Sequence, residues 1–457
     1  MLRVGRGCVL AVLFCVSCVA DVDILGGGDD SQVGTSAAAF GSKNATGFGD
    51  TFFASGSNDT SNPFFASLGT NGRACVSCHQ QAEGWSITPA GVKSRFDATS
   101  GMDPIFRLND GAVSPNANVS TLAARQTAYK LLIARGLIRV GLPIPANAEF
   151  TLQSVDDPYG FASAAELSLF RRPLPTTNVP FLATIMWDGR ETFSPTDMTG
   201  NLSHQAMDAT LGHAQATNTN SAQMSAIVTF ETALFTAQTQ DNEAGPLTSN
   251  GAMGGPQNLA SVAFSIGIND TLSAGFNPNA MTLFDAWKPP ATPQTDSNWQ
   301  KRYSIFRGQQ IFNTKPIPIT GVIGLNDLLG QTTIMGTCTT CHNTPNVGNH
   351  SSSLPINIGI ADPSRRTADM PLYTLRRKSN GQTVQTTDPG RALITGRWVD
   401  IGKFKGPILR GLQMRPPFFH DGSAATLQDV INFYNARFSI GLTTQEQSDL
   451  RAFLQAL

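Results

Sequence analysis

Cysteine is scarce in this chain and is confined to three short stretches. Three of the seven cysteines lie in the first twenty residues, and the other four lie in two pentapeptides. After residue 20 the chain has no cysteine outside the two pentapeptides, so a disulfide framework is not expected. The seven positions are Cys8, Cys15, Cys18, Cys75, Cys78, Cys338 and Cys341.

Charged residues are also few. They make up 14% of the chain, and the formal net charge is −1. A balance this close to neutral gives no electrostatic reason to expect binding to nucleic acid or to an anionic membrane surface. Hydrophobic residues make up 40% of the 457 positions, which suits a folded protein of two or three domains.

The apolar run near the N-terminus is too short to cross a membrane. It extends over the thirteen residues from Cys8 to Ala20 and follows two arginines, whereas a spanning helix needs about 20 residues. The pattern predicts that residues 1–20 are an export signal and that the protein is periplasmic or otherwise outside the cytoplasm. Two processing routes remain open. Acylation of Cys18 would give a lipid anchor, the only membrane attachment expected, and cleavage after Ala20 would give none.

Residues 21–60 contain few large apolar side chains that could form a hydrophobic core. Residues 21–60 are rich in Gly, Ser, Asn and Asp, and Gly26–Asp30 is the extreme case. This composition predicts a flexible linker. The sequence leaves open whether the linker is a tether that holds an anchored protein away from a membrane or a segment without a role.

The pattern C-x-x-C-H occurs twice, at Cys75–His79 and at Cys338–His342. It is the attachment signature of c-type haem, in which two thiols bond to the haem and the histidine ligates the iron. A structural zinc site would need four protein ligands, and each copy offers three. A redox dithiol would not need the histidine. The sequence therefore predicts two covalently bound haems, with Cys75, Cys78, His79, Cys338, Cys341 and His342 as the binding residues.

Helical periodicity precedes the second motif and ends the chain. Apolar residues recur at helical spacing in four segments, and in the last of them Thr444 is the predicted N-cap with Gln447 as its capping-box partner. A helix before a haem motif and a terminal helix packed across it is the cytochrome c arrangement. We predict a mainly α fold with two cytochrome c-like haem domains, residues 61–295 and 296–457, and long loops. The four helical segments are Leu122–Ile138, Met224–Thr236, Trp299–Phe312 and Thr444–Leu457.

Four further segments occur in the same order in a known family. They are Thr177–Pro180, Met186–Arg190, His204–Ala206 and Pro416–Ser423. With the two haem motifs, they make the chain resemble the bacterial dihaem cytochrome c peroxidases and their relative MauG, which oxidises tryptophans of a partner protein. Two insertions depart from the family, between His79 and Trp187 and over residues 238–298.

The resemblance implies an enzyme of the peroxidase class that reduces H2O2 at the N-terminal haem. Electrons would come through the C-terminal haem and through a tryptophan between the haems, which matches Trp187. The donor would be a small redox protein, a c-type cytochrome or a cupredoxin, or else a side chain of a protein substrate. The alternatives are a non-catalytic dihaem electron carrier and a MauG-like oxidase or oxygenase that acts on a partner protein or an organic substrate.

The resemblance also implies a sixth ligand for the second haem. The family places a methionine fourteen residues after the histidine that matches His420, and this chain has Tyr434 there, as MauG has a tyrosine. An anionic phenolate favours oxidised iron, whereas a thioether favours reduced iron. We therefore assign Tyr434 and His420 to the second haem site. The alternative is that Tyr434 is a core aromatic residue of the helix Leu427–Phe438.

Proton transfer at the first haem is the least settled part of the resemblance. The family uses a glutamate ten residues after the glutamine that matches Gln205, but this chain has Gln215 there. His213 is the predicted substitute, because an imidazole exchanges protons near neutral pH. His204 is the second candidate. No histidine lies between His79 and His204, so we expect the first haem to keep an open face without prior reduction.

Finally, the family holds one calcium ion between its domains. An asparagine side chain and backbone carbonyl oxygens bind it, and Asn178, Arg415 and Pro417 match those positions. Calcium takes six to eight oxygen ligands, so waters would complete the shell.

Overall fold

The computed structural model describes residues 41–457, and the region from Phe40 to Leu457 is one compact unit. The predicted signal peptide, Cys18 and the first part of the predicted linker lie outside the described residues. The α-helices are α1 (Pro89–Thr99), α2 (Leu122–Ala128), α3 (Lys130–Arg135), α4 (Met198–Gly212), α5 (Ser221–Thr232), α6 (Gly255–Ala260), α7 (Ser297–Thr314), α8 (Asn326–Leu329), α9 (Ala392–Thr395), α10 (Leu427–Arg437) and α11 (Thr444–Gln455).

The strands make the fold mixed α/β, so the prediction of a mainly α fold is wrong. They form four antiparallel sheets in the described part of the chain. The strands are β1 (Ser42–Asn44), β2 (Gly47–Phe53), β3 (Ile138–Leu142), β4 (Phe150–Asp156), β5 (Leu167–Arg171), β6 (Leu234–Asp241), β7 (Gly245–Pro246), β8 (Ile317–Thr320), β9 (Thr333–Gly336), β10 (Leu372–Arg377) and β11 (Thr383–Thr386).

The largest sheet has the order β1-β2-β6-β7. Strand β2 pairs along its length with β6, from Gly47 opposite Asp241 to Phe53 opposite Leu234. Residues 42–53 of the predicted linker instead form β1, a turn and β2, and the backbone of β2 is paired with a strand that lies far away in sequence.

A second sheet has the order β11-β10-β4 and joins strands from both sides of residue 295. Tyr373 of β10 lies opposite Val155 of β4, and its buried hydroxyl donates to the carbonyl oxygen of Ser168 at 2.7 Å. Nothing in this pairing marks a break at residue 295, and that domain boundary stays a prediction.

The predicted helix before the second motif is confirmed as α7, and α11 packs against it. Gly308 allows the close approach, because a Cβ there would lie 2.0 Å from the carbonyl oxygen of Asp449. The Asp449 carboxylate accepts from Arg307 at 2.8 and 2.9 Å. The predicted cap of α11 is wrong by one residue, since Thr443 is the N-cap and Glu446 is its reciprocal partner.

Two predicted helices are shorter than expected. The segment from Leu122 is interrupted at Tyr129 and ends at Gly136, whose φ of +61° is left-handed, before β3 begins. The predicted helix Met224–Thr236 ends at Thr232, and its last apolar residues belong to β6. These residues form backbone hydrogen bonds with β2, and that pairing would be lost if the helix continued for another turn.

No helix in residues 41–457 is both long enough and apolar enough to span a membrane.

Candidate functional site

The first C-x-x-C-H segment folds as a tight turn that presents its histidine. Residues Cys75–Ser77 form a single 3₁₀ turn, and the Nδ1 atom of His79 lies 3.0 Å from the carbonyl oxygen of Trp85. Burial lowers the pKa of His79 to about 4, so the imidazole is neutral at physiological pH. A neutral imidazole that donates its Nδ1 proton to a carbonyl leaves Nε2 free to bind a metal.

The second segment repeats this geometry. Cys338–Thr340 forms a 3₁₀ turn, and the Nδ1 atom of His342 lies 2.7 Å from the carbonyl oxygen of Gly348. Burial lowers the pKa of His342 to about 4. Burial also raises the pKa of Cys338 and Cys341 to about 12, which reflects the apolar surroundings that a haem edge requires.

A large apolar cavity adjoins the second motif. It has about 1760 Å³ of space between its walls, part of it open to solvent, and Cys338, Cys341 and His342 lie in its lining. Three cations in the same lining, Lys405, Arg415 and Arg172, have only backbone oxygens as hydrogen-bond partners. Lys405 Nζ donates to Thr184 at 3.0 Å.

The second cation is Arg415, which donates to the carbonyl oxygens of Ile408 and Arg410 at 2.9 and 2.7 Å. Burial, followed by the charge of Arg415, lowers the pKa of Lys405 to about 7. Buried cations without a carboxylate partner suit an anionic ligand, and haem carries two propionates. The residues of this cavity therefore fit a haem.

Tyr434 lies on α10, a helix predicted from the sequence, and faces the same cavity. The ring centroids of Tyr434 and His342 are 6.5 Å apart. Burial, followed by the nearby cysteines, raises the pKa of Tyr434. His420 lies against the other end of this region, where its imidazole stacks on Phe404 at 4.3 Å and lies 6.4 Å from Trp187.

Trp187 lines the cavity and connects to the segment beside the first motif through hydrogen bonds from side chains to backbone carbonyls. Its Nε1 donates to the carbonyl oxygen of Arg172 at 2.8 Å. The next residue, Pro173, accepts from Ser86 at 2.8 Å, and Ser86 follows Trp85, the partner of His79.

The turn that carries Trp187 is fixed by a buried ion-pair group. Arg171 bridges Asp188 at 2.5 Å and Asp388 at 2.7 Å, and all three side chains are buried. Burial alone would raise the pKa of Asp188, but the charges of Arg171 and Arg190 lower it to about 2. The carboxylate of Asp188 is therefore ionised, and its ion pair with Arg171 holds the turn that positions the Trp187 indole.

His213 is held by a carboxylate that the sequence analysis did not identify. Its Nδ1 lies 2.5 Å from Asp110, whose carboxylate also pairs with the buried Arg73. Burial would raise the pKa of Asp110, but Arg73 and His213 lower it. Burial is the main cause of the low pKa of His79; the hydrogen bond to Trp85 opposes it, and the charge of His213 adds a smaller lowering.

His204 and Gln205 lie together on α4. The Nδ1 of His204 lies 2.8 Å from Glu191 and 4.0 Å from Asp208. One ligand atom from each of these three side chains lies within 4.8 Å of the others, although Asp208 is exposed. His204 therefore has a carboxylate partner, Glu191, just as His213 has Asp110.

Glu231 is a further ionisable group that the sequence analysis missed. It lies in α5, is 4% exposed, and burial raises its pKa to about 8. Burial, followed by the charge of Glu231, raises the pKa of Cys75 to about 12. The sequence signal that could have identified Glu231 is that it is the single acidic residue among the apolar positions of α5.

The three residues predicted to bind calcium do not present free oxygens together. Both amide atoms of Asn178 bond to the backbone of Thr236, at 2.9 Å each. The carbonyl oxygen of Arg415 accepts from the guanidinium of Arg172 at 3.3 Å, and Pro417 lines the large cavity. These contacts do not fit calcium, which would need the same oxygens for its own shell.

No protein-family model matches the chain. Among curated proteins, it is 34% identical over 136 residues to the cytochrome-c peroxidase IdrP1 of Denitromonas iodatirespirans, which is 26% of this chain and 36% of that protein. It is 30% identical over 123 residues to the cytochrome c551 peroxidase of Nitrosomonas europaea, which is 26% of this chain and 30% of that protein. The matches thus span about a third of the length of these relatives.

Two solved structures are similar at low TM-scores. A MauG-like protein associated with microbial copper homeostasis has a TM-score of 0.38 at 16% identity, over 87% of this chain and 86% of that one. The hydrazine synthase of Kuenenia stuttgartiensis has a TM-score of 0.34 at 14% identity, over 81% and 93%. Scores this low do not define the fold. Over the matched 123 to 136 residues, the chain is similar to bacterial cytochrome-c peroxidases.

Proposed function

We propose that this protein is a periplasmic dihaem c-type peroxidase that reduces H2O2 with electrons from a small redox protein. The observation that carries the proposal is the pair of C-x-x-C-H turns, each with a neutral histidine whose Nδ1 faces a backbone carbonyl. Haem, when bound, supplies the iron at which peroxide is reduced. The resemblance of the chain to cytochrome-c peroxidases supports the same reaction class.

The chain supplies orientation and proton transfer. His79 and His342 are the proposed iron ligands, and Trp187 is the proposed relay, supported by the hydrogen bonds that join its indole to the segment beside His79. His213, held by Asp110, is the proposed acid/base group. Reduction of peroxide to water needs a base for the first proton and an acid for the leaving hydroxide, and a paired imidazole can serve as both.

Removal of one haem site at a time tests the proposal. The double variant Cys75→Ala/Cys78→Ala should retain half of the covalent haem and lose peroxide turnover, because the peroxide-reducing site is gone. The matched variant Cys338→Ala/Cys341→Ala should also retain half of the haem. Haem staining after denaturing electrophoresis and turnover with a reduced c-type cytochrome are the measurements. A wild-type chain that carries two haems and shows no turnover would instead identify an electron carrier.

Tyr434 is the proposed sixth ligand of the second haem, supported by its place beside His342 in the cavity lining, where the two ring centroids are 6.5 Å apart. Burial raises its pKa, so ligation requires the ferric centre to lower that value, as metals do for their ligands. Tyr434→Met should raise the reduction potential of the second haem, and Tyr434→Phe should open it to cyanide. Spectroelectrochemistry and cyanide titration measure both. If Tyr434→Phe leaves the spectrum and the potential unchanged, the tyrosine is only a core residue.

A further inference from the structure

Arg172 follows strand β5, and its guanidinium is enclosed by backbone carbonyl oxygens. The side chain is buried, with 5% of the residue exposed. Nη1 donates to two carbonyls at 3.1 and 3.3 Å, and Nη2 donates to three at 2.5, 3.3 and 3.3 Å. The five acceptors are the carbonyl oxygens of Arg135, Gly136, Ile87, Arg415 and Pro416.

We propose that the guanidinium of Arg172 is the resident cation of this junction, in place of a metal ion, and that the protein works without calcium. Backbone carbonyl oxygens are ordinary ligands of calcium. A guanidinium has five donors in a planar fork and can satisfy the same oxygens. Two cations cannot share this set of carbonyls, because each would repel the other at contact distance.

The charge is present under physiological conditions. Burial, followed by the nearby charge of Arg415, lowers the pKa of Arg172 to about 9, which still leaves it protonated at neutral pH. No carboxylate in the described part of the chain forms an ion pair with Arg172 within 4.0 Å. The carbonyl dipoles, with the more distant charge of Glu83, therefore provide the compensation that a buried charge requires.

The same residue contacts two further parts of the site through its backbone. Its N–H donates to the carbonyl oxygen of His420 at 2.6 Å, and its carbonyl accepts from Trp187 Nε1 at 2.8 Å. The side chain meanwhile holds the segments at Ile87 and Arg415 together. Arg172 thus connects the segments at Ile87, Trp187, Arg415 and His420, as a structural cation would.

The first arm of the test uses the wild-type holoprotein. Excess EDTA and millimolar CaCl2 should leave both the Tm and the peroxide turnover unchanged, and calorimetry should detect no calcium binding. Loss of stability or turnover in EDTA would overturn the proposal. The Tm and calorimetry arms do not depend on peroxidase activity, so a failed peroxidase assay leaves them informative.

The second arm removes the guanidinium. Arg172→Ala should lower the Tm by several degrees, and millimolar Ca²⁺ should restore a large part of that loss, because a ligand that binds only the folded state stabilises it by mass action. Mg²⁺ should restore less, since it demands a smaller octahedral shell. A variant with unchanged Tm, or a destabilised variant that calcium does not rescue, would contradict a cation site.

Two control variants address misfolding and specificity. Arg172→Lys keeps the charge but loses the fork, so it should fold and should respond to calcium less than Arg172→Ala. Arg366→Ala removes a surface arginine that pairs with Asp156, and its Tm should not depend on calcium. A calcium response in Arg366→Ala equal to that of Arg172→Ala would show that the effect is nonspecific.

Discussion

Replacement of His213 by alanine should lower the rate of peroxide reduction about 10²- to 10⁴-fold, the range expected for the loss of a general acid/base. Both haems should remain attached, because His213 lies outside the two C-x-x-C-H segments. Steady-state kcat/KM for H2O2 as a function of pH measures the effect.

Asp110→Asn should fall between the wild type and His213→Ala. The asparagine keeps a hydrogen-bond partner for Nδ1 but removes the carboxylate charge beside the imidazole, so the rate should fall by less than in His213→Ala. A rate equal to that of the wild type would show that proton transfer does not need the carboxylate. Because Asp110 also pairs with the buried Arg73, the Tm of this variant must be measured beside its kinetics.

His204 provides the matched control. Its side chain is 39% exposed, as is that of His213, and its Nδ1 also faces a carboxylate. His204→Ala should therefore change surface charge and local packing in a similar way while leaving kcat/KM near the wild-type value. Equal losses in His204→Ala and His213→Ala would contradict the assignment of His213, and a larger loss in His204→Ala would exchange the two roles.

The sequence predicted what is encoded locally. The two C-x-x-C-H turns, α7 and α10 follow from residues within one or two helical turns of each other, where pattern determines structure. The strands were missed because their partners are remote: β2 near residue 50 pairs with β6 near residue 237. No local period marks such a pairing, and the Gly- and Asn-rich composition of the segment before it favours a linker.

The same distinction applies inside the site. Asp110 lies 103 positions before His213 and within an insertion, so no spacing rule connects them. Arg172 was missed for another reason, since its partners are backbone carbonyls that any residue type supplies. Asn178 was predicted as a calcium ligand from the resemblance, but the Thr236 backbone takes both of its amide atoms.

Glu231→Gln should make the protein more stable at alkaline pH than the wild type. Burial raises the pKa of Glu231 to about 8 from an ordinary value of 4.5. Between these values the folded state keeps a proton that the unfolded state releases, so wild-type stability should fall by about 1.4 kcal/mol per pH unit as the pH rises. This fall in stability ends once the pH exceeds the pKa of Glu231 in the folded state. Glutamine has no proton to release, and this dependence should disappear.

Free energies of unfolding in urea, measured from about pH 5 to about pH 9 on the holoproteins, test this expectation. The difference in stability between Glu231→Gln and the wild type should grow with pH and reach at most about 5 kcal/mol, the value for a shift of this size. Glu243→Gln is the matched control, because its side chain is 69% exposed. Parallel pH profiles for Glu231→Gln and the wild type would show that Glu231 ionises normally, and a strong dependence in Glu243→Gln alone would place the titrating group elsewhere.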